Sequence, residues 1–104
     1  MIDTNTREGF AFRHKEDHLW LKIGAVGALI EEPYIQYAEY PSIDMASVYS
    51  ARNTLEDDLL KIFYMLTRFS RKNNTDVLKA SRFRRENWEM YRVEVVHKVI
   101  ERID

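Results

Sequence analysis

The chain has 104 residues, of which 45% are hydrophobic and 32% charged, a composition typical of a folded globular domain rather than a disordered chain. Its net charge of −1 gives the whole molecule no long-range attraction to nucleic acid or to an anionic membrane. It contains no cysteine, which excludes disulfides and thiolate zinc sites. We therefore expect residues 1–104 to form a single domain.

The first predicted element is a helix from about Thr6 to Glu32. Apolar residues between Leu19 and Ile30 recur at helical spacing and would form one stripe along it. Two glycines beside that stripe indicate either the close approach of another helix or a local break. His14 and His18, four residues apart, would lie on the opposite, solvated face. The sequence supplies no third ligand near them, so we interpret them as a surface pair and predict no metal site.

A tyrosine-rich segment follows, bracketed by Pro33 and Pro41. It contains Tyr34, Tyr37 and Tyr40. Proline at its start is compatible with a short fourth helix and equally with an extended connector. The rings could cover the end of a helical bundle, or they could form a docking surface for a partner.

The longest predicted element is a helix from Ser42 to Asn73, a run without glycine or proline. Apolar residues recur in it at alternating steps of three and four, the pattern of a coiled-coil seam, with Arg52 as a charged interruption. A helix of about 30 residues would be about 45 Å long. A monomer of this size could not cover it, so we expect a second copy to bury the exposed part. The apolar members of the seam are Met45, Val48, Leu55, Leu59, Ile62, Leu66 and Phe69.

The last predicted helix begins at Thr75 or Asp76 and reaches nearly to Asp104. Its second half has a wide apolar face that includes Trp88 and Val95. Three long helices with short connections predict an all-α antiparallel bundle that self-associates as a homo-oligomer.

Basic residues are concentrated between Arg68 and Arg85, where the only acidic residue is Asp76. Aromatic residues are interleaved with them, a mixture that could follow a phosphate backbone and stack bases. It could equally pair with the acidic segment between residues 31 and 58, which is the interpretation we favour. The residues predicted to contact a partner are Arg82, Arg84, Arg85, Tyr34, Tyr37 and Tyr40.

Two arginines stand among apolar residues of the predicted helices, Arg52 in the central seam and Arg92 on the last apolar face. An unpaired buried guanidinium is costly, so each must find a partner or reach water. Their stems could cover the core while the heads reach solvent, or they could pair with acids of the same chain. They could also converge on an anionic ligand, which would make the protein an oligomer that sequesters a phosphate-bearing molecule.

The string from Arg92 to His97 places an arginine and a histidine with four residues between them. This spacing resembles the R-x4–6-H motif of the HEPN superfamily of small all-α ribonucleases. The resemblance implies metal-independent RNA cleavage in a dimer cleft, with His97 working on the 2′-hydroxyl and Arg92 holding phosphate. It covers six residues, and Val93 stands where the family has a polar residue.

The sequence shows no other set of residues with the spacing of a catalytic site. We expect a non-enzymatic interaction protein (an adaptor, regulator or inhibitor) that binds another protein and uses no cofactor. Nucleic acid or a nucleotide is the alternative partner. No apolar run approaches the about 18 residues of a membrane span and no signal peptide is recognisable, so the expected location is the cytoplasm.

Overall fold

The computed structural model describes residues 4–29, 32–73, 78–98 and 101–103, and these form a four-stranded antiparallel sheet with one long helix against it. The strands lie side by side in the order β3-β2-β1-β4. Short 3₁₀ turns lie at Ile43–Met45 and Arg85–Asn87. In chain order the elements are β1 (Thr4–His14), β2 (Trp20–Leu29), β3 (Glu32–Tyr40), α1 (Arg52–Asn73), α2 (Leu78–Ser81) and β4 (Trp88–Lys98).

The predicted all-α bundle of three long helices is therefore wrong. The segment assigned to the first helix forms β1, the turn after it and β2, and the segment assigned to a short fourth helix forms β3. In the described part of the segment assigned to the last helix, the short α2 and a 3₁₀ turn precede β4. Of the predicted central helix, the part from Arg52 to Asn73 is helical.

The predicted coiled-coil seam is also wrong, because α1 turns its apolar stripe onto the sheet of its own chain. Leu55, Leu59 and Ile62 are buried there, whereas Met45 precedes α1 and is exposed. Arg52 is the first residue of α1 and not an interruption within a seam. The over-long helix that suggested self-association does not exist.

Alternation of side chains along the strands explains why these segments form a sheet. Successive residues of a strand point to opposite faces, so every second residue can reach the helix. Aromatic and branched residues favour such half-buried pleated surfaces. The core between sheet and helix consists of Phe12, Leu21, Ile35, Leu55, Leu59, Ile62, Met65, Phe83 and Trp88.

The sheet is forked between β1 and β2. Among the described residues these strands share a single register pair, Arg13 with Trp20, next to the turn that joins them. On its other side β1 pairs along its whole length with β4, whereas β2 pairs with β3. The molecule therefore contains two antiparallel ribbons that diverge from one turn.

The segment Ser47–Tyr49, which we call the wedge, occupies the gap of the fork. The Ser47 N–H donates to the carbonyl of Leu21 (3.0 Å) on one side, and Tyr49 and Phe10 exchange backbone hydrogen bonds of 2.7 and 2.9 Å on the other. The Ser47 hydroxyl accepts from the N–H of Ile23 (2.7 Å) and donates to its carbonyl (3.2 Å). The wedge thus satisfies backbone groups of both ribbons where they no longer pair with each other.

No helix in the described ranges combines the length and the apolar character that a bilayer crossing requires.

Candidate functional site: an arginine-lined groove

A groove of about 720 Å³ lies where β1, β4 and the first turn of α1 meet. This volume is in the usual range for small-ligand sites. Phe10 and Met90 supply apolar surface, and charged side chains surround them. We call it the arginine groove, and its lining residues are Glu8, Gly9, Phe10, Ser50, Arg52, Glu56, Arg85, Met90 and Arg92.

Three structural elements bring the arginines of the groove together. Arg52 begins α1, Arg85 lies in the 3₁₀ turn before β4, and Arg92 lies in the middle of β4. Arg92 is directly opposite Phe10 in the β1–β4 register, so the two side chains share one face of the sheet. Met90, two residues before Arg92, lies on the same face.

The guanidinium groups rest on aromatic rings and on carboxylates. The Arg52 guanidinium carbon is 5.9 Å from the ring centre of Phe10. Arg92 forms an ion pair with Glu8, and both side chains are largely exposed, by 72% and 58%. Among the described residues Arg52 has no carboxylate within salt-bridge distance, which makes it the arginine of the groove best placed to take an anion.

Arg85 is the most firmly held of the three arginines. Its Nη1 donates to the carbonyl of Trp88 at 2.7 Å, and its Nε lies 3.8 Å from a carboxylate oxygen of Glu56. Its guanidinium carbon is 4.9 Å from the ring centre of Phe12. Three arginines against two glutamates leave the groove with an excess of positive charge.

The amino terminus of α1 adds to this positive character. Ser50 and Arg52, at the start of the helix, line the groove, and the first turn of α1 contains no acidic residue. The unpaired N–H groups of a helix start carry partial positive charge and favour a bound anion. The helix terminus and the guanidinium groups therefore act in the same direction.

Arg82, predicted to contact a partner, makes its contacts within the chain. It donates to the two carboxylate oxygens of Glu39 at 2.6 to 3.2 Å, and its Nη1 lies 2.6 Å from an oxygen of Asp17. The hydrogen bonds to Glu39, more than those to Asp17, raise the pKa of Arg82 against the opposing effect of burial. This agrees with the pairing of basic and acidic segments that the sequence favoured.

Of the other predicted partner contacts, Arg84 lies between α2 and the 3₁₀ turn, and the three tyrosines lie in β3. The Arg84 guanidinium is 5.5 Å from the ring centre of Phe63, and Tyr37 packs edge-on against Phe83 at 4.9 Å. Tyr40 is half-buried at the end of β3. Tyr34 lies in the same strand, and its side chain is outside the described part of the structure. Their role in binding a partner stays a prediction.

The arginine and histidine of the HEPN-like string do not lie on a helix. Both are in β4, where Arg92 is opposite Phe10 and His97 is opposite Asn5. The side chain of His97 lies outside the described residues. The resemblance implied an all-α protein, so its structural premise is wrong.

The interpretation of His14 and His18 as a surface pair is wrong as well. His14 is buried, with its ring edge against Trp88 at 5.0 Å. Its Nδ1 accepts from the backbone N–H groups of Glu16 (3.2 Å) and Asp17 (3.3 Å), so it organises the β1–β2 turn. His18 occupies that turn with a φ of 59°. In the described ranges no three His, Asp or Glu residues are grouped so that they could hold a metal ion.

The sequence indicated Arg52 and Arg92 as candidate ligand-binding residues, and the structure places both in one groove. The sequence did not indicate Glu8, Phe10 or Glu56 as residues of a binding site. Glu8 and Arg92 are 84 residues apart, so only the β1–β4 register brings them together. The alternation of Phe10 and Phe12 was the available signal that β1 presents this face to the helix.

Comparison of the chain with family models, with curated proteins and with solved structures gives no match.

Proposed function

We propose that this chain is a non-enzymatic binding protein that takes a phosphate-bearing ligand in the arginine groove. The observation that carries the proposal is the convergence of Arg52, Arg85 and Arg92, from three separate elements, on one groove. A guanidinium presents its donors in a planar fork that matches two phosphate oxygens, and it stays charged at all physiological pH values. The start of α1 supports the same anion.

The two glutamates of the groove are compatible with an anionic ligand. Glu8 and Arg92 are largely exposed, and an exposed ion pair stabilises a protein by less than about 1 kcal/mol. Glu56 is 3.8 Å from Arg85, a long contact. A phosphate group therefore competes with weak partners, while these carboxylates keep the guanidinium groups in place in the empty groove.

The apolar surface between the charges gives the ligand a second kind of contact. Phe10 and Met90 lie between the three arginines, so the part of the ligand that follows the phosphate would cover them. Binding of another protein by the basic residues between Arg68 and Arg85, as the sequence suggested, stays a prediction, and Arg84 is an exposed member of that group. The ribonuclease alternative lacks its structural basis, because Arg92 and His97 lie on a strand.

Calorimetric titration with pyrophosphate and with ATP at low ionic strength tests this function. We expect Arg52→Ala and Arg92→Ala each to weaken binding at least about tenfold, which is about 1.4 kcal/mol. Arg68→Ala is the matched control, since Arg68 is an exposed arginine of α1 outside the groove. A wild-type chain that binds neither probe, or equal losses in all three variants, would refute the proposal.

A further inference from the structure

The outer edge of β4 is a second candidate binding surface, after the arginine groove. β4 is the last strand of the sheet, and in the described part of the chain it pairs on one side only, with β1. It is 11 residues long and contains no proline, and its register with β1 shows no bulge. A long, regular edge strand presents a row of unpaired N–H and C=O groups to any chain that can pair with them.

Hydrogen bonds of β1 show which residues of β4 turn their backbone groups to that edge. Phe10 exchanges hydrogen bonds with Tyr49, and the His14 N–H donates to Leu19, both on the side of β1 away from β4. In an antiparallel pair the direction of these groups alternates along the strand. The even-numbered residues of β1 therefore turn away from β4, and the β4 residues opposite them turn outward. These residues are Trp88, Met90, Arg92, Glu94, Val96 and Lys98.

The contacts of Trp88 support this assignment. Its N–H donates to the carbonyl of Arg85, and its carbonyl accepts from Arg85 Nη1 at 2.7 Å. Both backbone groups of Trp88 are thus used by a residue outside the sheet. The outward groups from Met90 to Val96 have no such cover among the described residues.

The outward residues are complementary to themselves in one antiparallel register. When two copies of β4 pair around Val93, Arg92 of each copy is opposite Glu94 of the other, which gives two pairs of opposite charge. The same register places Met90 opposite Val96, which is 57% exposed in the single chain, and Tyr91 opposite Val95. Opposite charges and aromatic or apolar pairs directly across a sheet are stabilising.

Neighbouring registers lack this complementarity. Pairing around Arg92 places two arginines opposite each other, and pairing around Glu94 places two glutamates opposite each other. Like charges directly across a sheet are destabilising. The charges of β4 therefore favour one register and oppose the two on either side of it.

We propose that the outer edge of β4 binds a second copy of this chain, so that two molecules form a two-fold dimer with one continuous antiparallel sheet centred on Val93. The proposal requires no ligand and does not rest on the phosphate function, although Arg92 takes part in both. It also differs from the coiled-coil association expected from the sequence, since backbone pairing of strands replaces helix packing.

The mass of the full chain in solution, measured by light scattering after gel filtration, tests the dimer. We expect twice the chain mass of 12.5 kDa. Glu94→Arg places arginines opposite each other and should shift the protein to the monomer mass. In the single chain Glu94 is opposite Glu8, so this substitution removes a like-charge pair and should not unfold the protein. Glu101→Arg, exposed and beyond β4, is the matched control and should leave the dimer intact.

The double variant Arg92→Glu with Glu94→Arg restores opposite charges across the same register, and we expect it to regain the dimer mass. Amide hydrogen exchange at Arg92 and Glu94 should be slow in the wild type and fast in the Glu94→Arg variant. A monomeric wild type, a Glu94→Arg chain that remains dimeric, or a double variant that remains monomeric would each overturn the proposal. Binding of pyrophosphate is measured separately, so the failure of one proposal does not imply the failure of the other.

Discussion

Gly9 shows how one residue makes the forked sheet possible. A Cβ at this position would lie 2.6 Å from the carbonyl oxygen of Tyr49 and 2.6 Å from Cγ1 of Val48. The first of these contacts is with backbone, so rotation of a side chain cannot relieve it. A hydrogen at Gly9 is therefore what allows the wedge to lie against β1.

The substitution Gly9→Ala should destabilise the fold by about 1 to 3 kcal/mol, the usual cost of forcing extra volume into a packed site. Gly24→Ala is the control, because the nearest atom to an added Cβ there is Cβ of Gln36 at 3.1 Å, a wider separation than the 2.6 Å at Gly9. We expect the control to destabilise the fold less than Gly9→Ala does, since a shift of a few tenths of an ångström relieves its contact. Urea unfolding followed by tryptophan fluorescence measures both, and equal effects of the two substitutions would contradict this account of the wedge.

At the scale of elements, a side-chain hydrogen bond joins the wedge to α1. The Tyr49 hydroxyl donates to a carboxylate oxygen of Asp58 at 2.6 Å, and Asp58 is itself nearly buried. Burial of the hydroxyl, then the hydrogen bond to Asp58 and its negative charge, raise the pKa of Tyr49 well above its ordinary value. The folded chain therefore holds the protonated tyrosine more strongly than the unfolded chain does.

This pKa shift predicts a loss of stability at alkaline pH. The stabilisation is fully present below about pH 10, the ordinary pKa of tyrosine, and declines above it because only the unfolded chain then releases the proton. At neutral pH, Tyr49→Phe should cost about 1 to 3 kcal/mol, since the nearly buried Asp58 loses its hydrogen bond from Tyr49 and keeps only the longer ion pair with Lys61 among the described residues. Above about pH 10 the difference between wild type and variant should shrink. A difference that is constant between neutral and alkaline pH in chemical unfolding would contradict the prediction.

The elements also show how far the sequence determines the fold and where it does not. The apolar stripe of Leu55, Leu59 and Ile62 predicts a helix, and the structure has a helix there. No other periodicity competes with the helical spacing of these residues. The apolar residues of β2 and β4 fit a helical wheel and a strand equally well, and what decides between them is pairing with segments far away in sequence. Tyr91, Val93 and Val95 were the local signal for a strand, because branched and aromatic residues alternate there with charged ones.

The candidate site depends on the same distant pairings. The sequence predicts Arg52 and Arg92 as candidate site residues because each is a charged residue among apolar ones. Arg52 and Arg92 are close together because of the β1–β4 register and because the wedge fixes where α1 begins. No local sequence pattern encodes either of these features. Sequence reasoning could therefore propose the two residues but not the groove.

At the scale of the whole molecule, Arg82 joins three parts of the chain that are far apart in sequence. It lies between α2 and β4, binds Glu39 near the end of β3, and binds Asp17 in the turn between β1 and β2. The side chains of Arg82 and Glu39 are only 26% and 19% exposed. Solvent therefore screens the Arg82–Glu39 pair less than it screens an exposed ion pair, whereas Asp17 is 46% exposed.

Substitution of Arg82 should consequently affect the whole fold. We expect Arg82→Ala to lower the free energy of unfolding by about 2 kcal/mol, since hydrogen bonds to charged groups contribute about 1.5 to 3 kcal/mol. Arg82→Lys keeps the charge but lacks the planar fork that serves two carboxylates at once, so most of the loss should remain.

Arg92→Ala in the monomeric Glu94→Arg background is the control for this prediction, because there it removes only the exposed ion pair with Glu8 and should cost less than about 1 kcal/mol. Thermal and urea unfolding of the three variants measure the effects. Full stability of Arg82→Ala would show that its contacts contribute nothing to the fold and would contradict the prediction. Arg82 and Arg92 belong to different ion-pair networks. The two substitutions therefore separate the effect on the stability of the fold from the effect on ligand binding in the arginine groove.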